Sequence, residues 1–486
     1  MRSSAVAVDR RISPDVWPVA IVVILGMVMS ALDTTIVNVA LITLSRDLHT
    51  GLASVQWVVT AYLLALAVVV PVSGWAASKY GAKRVFIVSI GLFTVGSALC
   101  GLATSASMLI VFRILQGIGG GMSAPVGMMI VVKKSGPASL ARVMSAIGIP
   151  IILAPIVAPT IGGLLLDHAG WRWIFYVNVP IGILTLIAAT RLLPRDEPEA
   201  VGPLDVVGLV LAGVGLAAVT YGLAEAGTAG FGATKVWLSI LLGVALVSGF
   251  VAHALRVEHP LLDMRLYASP AFSAASLTTF FLGAAMFGGM LLMPLYFQTV
   301  RGEDAVTTGM LLAPTGVGSA LAVWVAGRSI DRIGAGVTAL VGGLLGIVST
   351  IPMLFIGAQT SYVLLGALLF FRGFATGLSS MPAMTAAYRV LRPDQVNDAS
   401  PQLNVLQRVG GSLGTAILAV SLQNQLEHAP QTAAGAAAAF GTTFWWVLAI
   451  FAFATIPILV LMRIERQGFV AEGLDDLPAE AFAGAA

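Results

Sequence analysis

The chain has 486 residues; 58% are hydrophobic, 10% are charged, and the mean hydropathy is +0.95. A soluble domain of this size carries about 25% charged residues to cover itself, so the composition excludes a water-soluble protein and points to a lipid surround. A net charge of +3 is too small to hold a nucleic acid. The single cysteine, Cys100, excludes a disulfide framework, and the five histidines (His49, His168, His253, His259 and His428) have no metal-binding spacing.

The first element in chain order is the apolar run from Trp17 to Leu41. It is longer than the hydrophobic stretch of a signal peptide, contains Asp33 and is followed by no A-x-A cleavage pattern, so it reads as a retained membrane helix. A bilayer core takes about 20 apolar residues per helix. Thirteen further runs meet that need, at 55–76, 84–104, 107–132, 143–166, 173–193, 205–224, 236–255, 272–298, 305–327, 336–357, 361–387, 399–422 and 441–462. They are continuous and lack the alternation of barrel strands, so the expected class is an all-α membrane protein with 14 transmembrane helices. The expected organisation is an N-terminal segment 1–16, a six-helix bundle 17–193, a linker with two peripheral extra helices 194–260, a second six-helix bundle 261–462 and a tail 463–486. The connecting loops are too short for a separate catalytic domain.

Orientation follows from the basic residues. Nineteen of the 26 Lys and Arg fall in one alternate set of segments, and four (Arg46, Arg172, Lys235 and Arg301) in the other. Three lie inside spans: Arg113, Arg372 and Arg408. The positive-inside rule then puts the richer set, with both termini, in the cytoplasm.

The chain also repeats itself. Gly74, Ser78, Lys79 and Gly81 in GWAASKYGAKR match Gly327, Asp331, Arg332 and Gly334 in GRSIDRIG, each 253 residues further on. A fainter echo relates Arg113–Pro125 to Arg372–Pro382. Two six-helix units around a central site are the architecture of secondary transporters; chance recurrence of basic glycine turns is the plainer alternative.

These segments resemble the major facilitator superfamily, and within it the fourteen-span drug:proton antiporters of the EmrB/QacA type. LDTTIVNVAL (32–41) resembles that family's first-helix motif, GWAASKYGAKR its loop after span 2, and FRILQGIGGG (112–121) its span-4 arginine motif. APTIGG (158–163) resembles its antiporter motif, and WRWIFYVNVPIG (171–182) a fourteen-span signature. The resemblance implies a major-facilitator fold of two six-helix bundles plus two inserted helices. It implies proton-coupled export of small amphipathic substrates across a bacterial plasma (inner) membrane by alternating access, with the proton gradient as energy source and no cofactor. Protons, cargo and membrane lipids would be the partners, with a periplasmic adaptor left open and no nucleic acid. Gating would fall to Gly74, Ser78, Lys79, Gly81, Arg84, Gly327, Asp331 and Arg332, and the exchange-favouring kink to Pro155, Pro159, Gly162 and Gly163. Two positions depart from the family pattern: Ser78 stands where an acid is usual, and Ala158 precedes Pro159 where a glycine is usual.

The polar residues inside spans point to the site, because ionisable groups in a membrane are costly. Asp33 is the one acid well inside a span, and Ser30, Asp33, Thr34 and Asn38 share a helix face. Asp33 reads as a proton carrier; a carboxylate pinned permanently to a neighbour is the alternative. Arg113, Gln116, Gly117 and Gly120 share a face of span 4, the glycines reading as a packing surface. Counting residues from the span ends puts Asp33 about 12 Å and Arg113 about 9 Å below the same surface, so the two are expected to pair in one access state and part in the other. Arg372 with Asn404, Gln407 and Arg408 supplies the second half of a substrate cavity, to which Gln56, Trp57, Tyr62, Tyr296 and Gln298 are added as aromatic or polar lining. The absence of a buried acid in the second half leads to an expectation of neutral, anionic or monocationic cargo in preference to dications.

Three functions compete at this point: a proton antiporter, a facilitator of the same fold moving a specific metabolite or lipid, and a membrane enzyme or channel. An enzyme needs clustered catalytic groups that one Asp and three separated Arg do not supply. No glycine is followed by lysine, so the chain lacks a phosphate-binding G-x-x-x-x-G-K-[ST] loop for ATP. The topology makes a direct prediction. Reporter fusions after Gly227 and Gln425 read outside, and fusions after Arg195 and Arg466 read inside; one reversed reporter breaks the topology.

Overall fold

The structure is a computed structural model, and it describes residues 14–50, 52–196, 198, 201–389, 391–392 and 395–475. Most of the N-terminal segment expected at 1–16, and residues 476–486 of the tail expected at 463–486, lie outside these. All regular elements among the described residues are helical. The first half holds α1 (Val16–Asp47), α2 (Leu52–Val69), α3 (Val72–Tyr80), α4 (Ala82–Leu102), α5 (Ala106–Ala169), α6 (Arg172–Tyr176) and α7 (Asn178–Leu192). Then come α8 (Val206–Ala229) and α9 (Thr234–Ala254). The second half holds α10 (Pro270–Thr299), α11 (Ala305–Ile333), α12 (Ala335–Thr350), α13 (Tyr362–Arg389), α14 (Val396–His428) and α15 (Ala433–Asp475).

Local sequence fixes where these helices begin. Ser105, Asp205, Ser269 and Asp304 each accept a hydrogen bond from a backbone N–H of the first turn that follows, satisfying a donor the helix cannot. Pro270 reinforces the start of α10, where its missing N–H costs nothing.

Twelve helices among the described residues are long and apolar enough to cross a bilayer, and thirteen if α2 and α3 count as one. The span expected at 55–76 is thus not straight: it bends by 55° beside Pro71, which lacks a backbone N–H and crowds the preceding turn. The spans expected at 107–132 and 143–166 are joined by helical backbone into α5, with an apolar helix of Arg142–Ile151 in its second limb. A straight helix from 113 to 162 would extend about 73 Å at 1.5 Å per residue. Yet Arg113 touches Asp33 and a methyl-sized group on Gly162 would lie 2.9 Å from Ile36, one turn further along α1. The helix therefore doubles back, and both limbs pack on α1.

The internal repeat is built in atoms. Gly81 and Gly334 end α3 and α11 with φ of +87° and +89°, a backbone shape that favours glycine. After each, a carboxylate from the far end of the same bundle caps the next helix. Asp196 accepts from the N–H groups of Ala82 and Lys83, and Glu465 accepts from Ala335 (2.8 Å) and Gly336 (2.6 Å). Negative charge at a helix N-terminus is favoured by the backbone dipoles.

The start of α1 and the stretch of α15 around Glu465 lie at one face. Asp15 pairs with Lys134, Arg142 of α5 with Asp331 of α11 at 3.0 Å, and the α15 carboxylate Glu465 sits on α12. This basic face is also where the bundles meet. Asp331 faces Arg142 and Arg389, Asn397 donates to Ser78 at 2.5 Å, and Ser400 donates to the Pro125 carbonyl at 3.0 Å. One apolar cluster crosses both bundles there, joining Phe86, Met129 and Met144 to Val323, Met381 and Leu403. Away from that face the apolar cores are separate: Ile36, Val58, Leu109 and Trp171 form one, Leu282, Tyr296, Leu369 and Phe444 the other. The molecule is closed at the basic face, and its two bundles keep separate apolar cores away from it.

The inserted pair is less peripheral than its sequence suggests. A methyl-sized group on Gly213 of α8 would touch Val68 of α2, while Leu223, Ala226 and Val236 pack on Ala416 of α14, so α8 and α9 cover the seam between the bundles.

The ionic closure yields a prediction. Part-exposed pairs of this kind contribute about 0–1 kcal/mol each, so Asp331→Asn, which removes two, shifts the balance towards an open basic face by up to about thirty-fold. Cysteines at Ser145 and Met381, whose side chains meet across the bundles, will then crosslink less; an unchanged yield would show the pairs to be incidental.

Candidate functional site

The site grows from one buried charge. Asp33 lies midway along α1 and has no exposed surface. A bare carboxylate there costs far more than folding can supply, so every oxygen needs a donor. Arg113 Nη1 donates to Oδ2 at 2.6 Å. Gln116 Nε2 donates to Oδ1 at 2.9 Å, and Asn178 Nδ2 to the same oxygen at 3.1 Å. The three donors come from α5 and the first residue of α7, so the site ties three segments of one bundle together.

Arg113 is held in its turn. Its Nε donates to the Val58 carbonyl at 3.1 Å and its Nη1 to Gln116 Oε1 at 2.7 Å. The guanidinium carbon stands 4.0 Å from the centre of the Tyr62 ring and 5.8 Å from that of Phe175, the stacking that a planar cation allows. Around this core, Tyr62 and Ser30 hydroxyls are 3.4 Å apart, Asn178 also donates to Ser97 at 3.1 Å, and Cys100 points its thiol at Gln116. The pairing of Asp33 with Arg113 read from sequence depth is therefore present in this closed-basic-face state.

Close approach of helices makes the geometry possible. Methyl-sized groups on Gly117 and Gly121 would strike the α2 backbone at Tyr62 and Leu66. The glycines act as a packing surface, as expected, and bring α5 near enough for Arg113 to reach the Val58 carbonyl. Gly162 of the antiporter motif packs on α1 beside Ile36, whereas Gly163 faces open space. The side chains of Pro155, Pro159, Asn38 and Gln56 lie outside the described residues.

The remaining expected residues divide. Thr34 is half-buried and turns its hydroxyl back to the Ser30 carbonyl, and Asn404 does the same to Ser400. Gln407 lies where α14 crosses Gly283, and Arg408 lies within electrostatic reach of Tyr62, across the seam between the bundles. Arg372 is buried between α10, α13 and α15. Trp57, Tyr296 and Gln298 are not brought to the Asp33 cluster either. Trp57 is exposed and stacks on Tyr221 of α8, Tyr296 sits in the second bundle's core with its hydroxyl on the Gly357 carbonyl at 2.7 Å, and Gln298 is exposed near the end of α10. Of the gating residues, Gly74 packs on the Asn397 carbonyl, Gly327 is buried, Ser78 and Asp331 make the contacts described above, and Lys79, Arg84 and Arg332 are exposed.

Asn178 is the site residue the sequence reading missed. It stands inside WRWIFYVNVPIG, legible only as a signature. An asparagine opening an apolar helix was the available signal, since a buried amide requires partners.

Two bundles closed on each other at one face, with separate apolar cores away from it and a buried ion pair within the first, define a multi-pass membrane transporter rather than an enzyme. The chain matches the Major Facilitator Superfamily over residues 23–415. It is 40% identical over 411 residues to the "Multidrug resistance protein B homolog" of Mycobacterium tuberculosis, covering 84% of this chain and 76% of that one. It is 31% identical over 415 residues to the "Tetracenomycin C resistance and export protein" of Streptomyces glaucescens, covering 84% and 76%. Its fold superposes on the crystal structure of the human organic anion transporter MFSD10 with a TM-score of 0.64 at 16% identity, covering 91% of this chain and 99% of that one. The chain belongs to the Major Facilitator Superfamily.

Removing Asn178 tests the site's construction. Asn178→Ala deletes hydrogen bonds to Asp33 and Ser97 and is expected to cost about 1–3 kcal/mol, read as a lowered thermal midpoint in detergent. A midpoint equal to the parent's would mean that Asn178 contributes nothing to holding the carboxylate.

Proposed function

We propose that the protein is a proton-driven antiporter that exports small amphipathic compounds, of the fourteen-span drug:proton type, with Asp33 as the proton carrier. The observation that carries this reading is the three-donor cage around Asp33. A proton and the Arg113 guanidinium compete for the same carboxylate oxygens. Protonating Asp33 leaves Arg113 with a buried charge that has lost its partner, a change worth about 3–5 kcal/mol. Reversing a two-state equilibrium from 1:99 to 99:1 takes about 5.5 kcal/mol, so one proton at this position is of the right size to move much of the population between access states.

The cycle follows from that competition. With the basic face closed and the opposite face parted, Asp33 takes a proton from outside, Arg113 is released and the bundles rock. With the basic face open, cargo entering from the cytoplasm displaces the proton, and Arg113 recaptures the carboxylate as the site turns outward again. The names of the relatives, one a multidrug resistance protein and one an antibiotic resistance and export protein, support export as the direction. A selective exporter of one metabolite or lipid is the alternative, and only the range of cargo separates the two.

Asp33→Asn keeps the shape of the side chain and removes its titration. In proteoliposomes with an imposed pH gradient, the variant is expected to lose uphill export while still folding. Export by Asp33→Asn at the parental rate and with the parental proton movement would refute the proton role.

A further inference from the structure

The internal repeat exposes an imbalance. In the first bundle, the buried arginine of α5 meets a carboxylate on α1. Its counterpart by sequence, Arg372 of α13, is 6% exposed and packs against α10 at Gly289, with the Phe444 ring of α15 5.7 Å away. A methyl-sized group on Gly289 would collide with the guanidinium, so α10 offers bare backbone where α1 offers Asp33. Among the described residues, no carboxylate, carbonyl or hydroxyl hydrogen-bonds the Arg372 side chain, and no charged group faces it. Every described acid of 261–462 falls in a loop or in the first or last turn of a helix. Yet the guanidinium nitrogens are not among the sealed, unsatisfied atoms, so they keep a residual opening.

A buried cation with five donors and no acceptor is unfavourable on its own. The cheapest compensation is an anion from outside the chain, held by charge-assisted hydrogen bonds in a setting that favours a single, weakly hydrated charge. We propose that Arg372 is a binding site for a monovalent anion, either the acid group of an aromatic cargo or a small inorganic ion, which completes in the second bundle the ion pair that Asp33 completes in the first. The cargo arm rests on the export reading; the anion site itself does not.

The test uses the purified full-length protein in detergent and reads its thermal midpoint. Sodium chloride is compared with sodium sulfate at matched ionic strength, and 1-naphthoate with its neutral amide. A saturable rise with 1-naphthoate alone assigns the site to an acidic cargo, and a rise with chloride alone assigns it to an inorganic counterion. A rise with both supports a general monovalent anion site. Arg372→Gln, which removes the uncompensated charge, is expected to weaken the response at least tenfold in half-saturating concentration and to unfold no earlier than the parent in sulfate. Arg372→Lys is expected to keep part of the response. The proposal is overturned if neither anion outperforms its control, or if Arg372→Gln responds as the parent does. Binding without export of either naphthyl compound from cells would count against the export reading and leave the anion site standing.

Discussion

The buried carboxylate of Asp33 sets the terms for much of the first bundle. One negative charge in the middle of an apolar helix must be matched, and matching it fixes where Arg113, Gln116 and Asn178 stand. Those residues in turn dictate how closely α5 approaches α1 and α2, which is why glycines line the contact. A hydrophobic pair of the same volume would hold the bundle together as well or better, since a buried ion pair rarely stabilises a fold. In the cycle proposed above, what it provides is a structure whose energy depends on one proton.

The two bundles use one scaffold for different ends. Each has a glycine-ended helix followed by a carboxylate-capped one, and each buries an arginine at the corresponding depth. They diverge at the arginine's partner, internal in the first bundle and absent among the described residues of the second. They diverge again at the basic face, where Asp331 carries the ionic contacts and Ser78 a neutral hydrogen bond to Asn397. With serine in place of an acid, the first repeat keeps a neutral contact at this face and the charged contacts fall to the other repeat.

Much of this was legible in the sequence because lipid imposes simple rules. Apolar length gave the helices, and the few ionisable residues inside them gave the site, since each has to be compensated. Counting from the span ends brought Asp33 and Arg113 level without any structure. The rest depended on direction and not on depth. Trp57, Tyr62 and Tyr296 are all aromatic residues within spans, yet one faces α8, one lies beneath Arg113 and one is core, because helix rotation cannot be read from composition. Asn178 was hidden by belonging to α7, far from Asp33 in sequence. The helical turn inside α5 and the break beside Pro71 were hidden because hydropathy reports burial in lipid and says little about how one span passes into the next.

The central claim is that cargo and proton compete for one carboxylate. Adding an exported compound to purified protein in weakly buffered detergent solution, with a pH-sensitive dye to count protons, measures that competition without a membrane or a gradient. The account predicts proton release on cargo binding to the parent protein and none from Asp33→Asn. No release from the parent, or equal release from the variant, would contradict it.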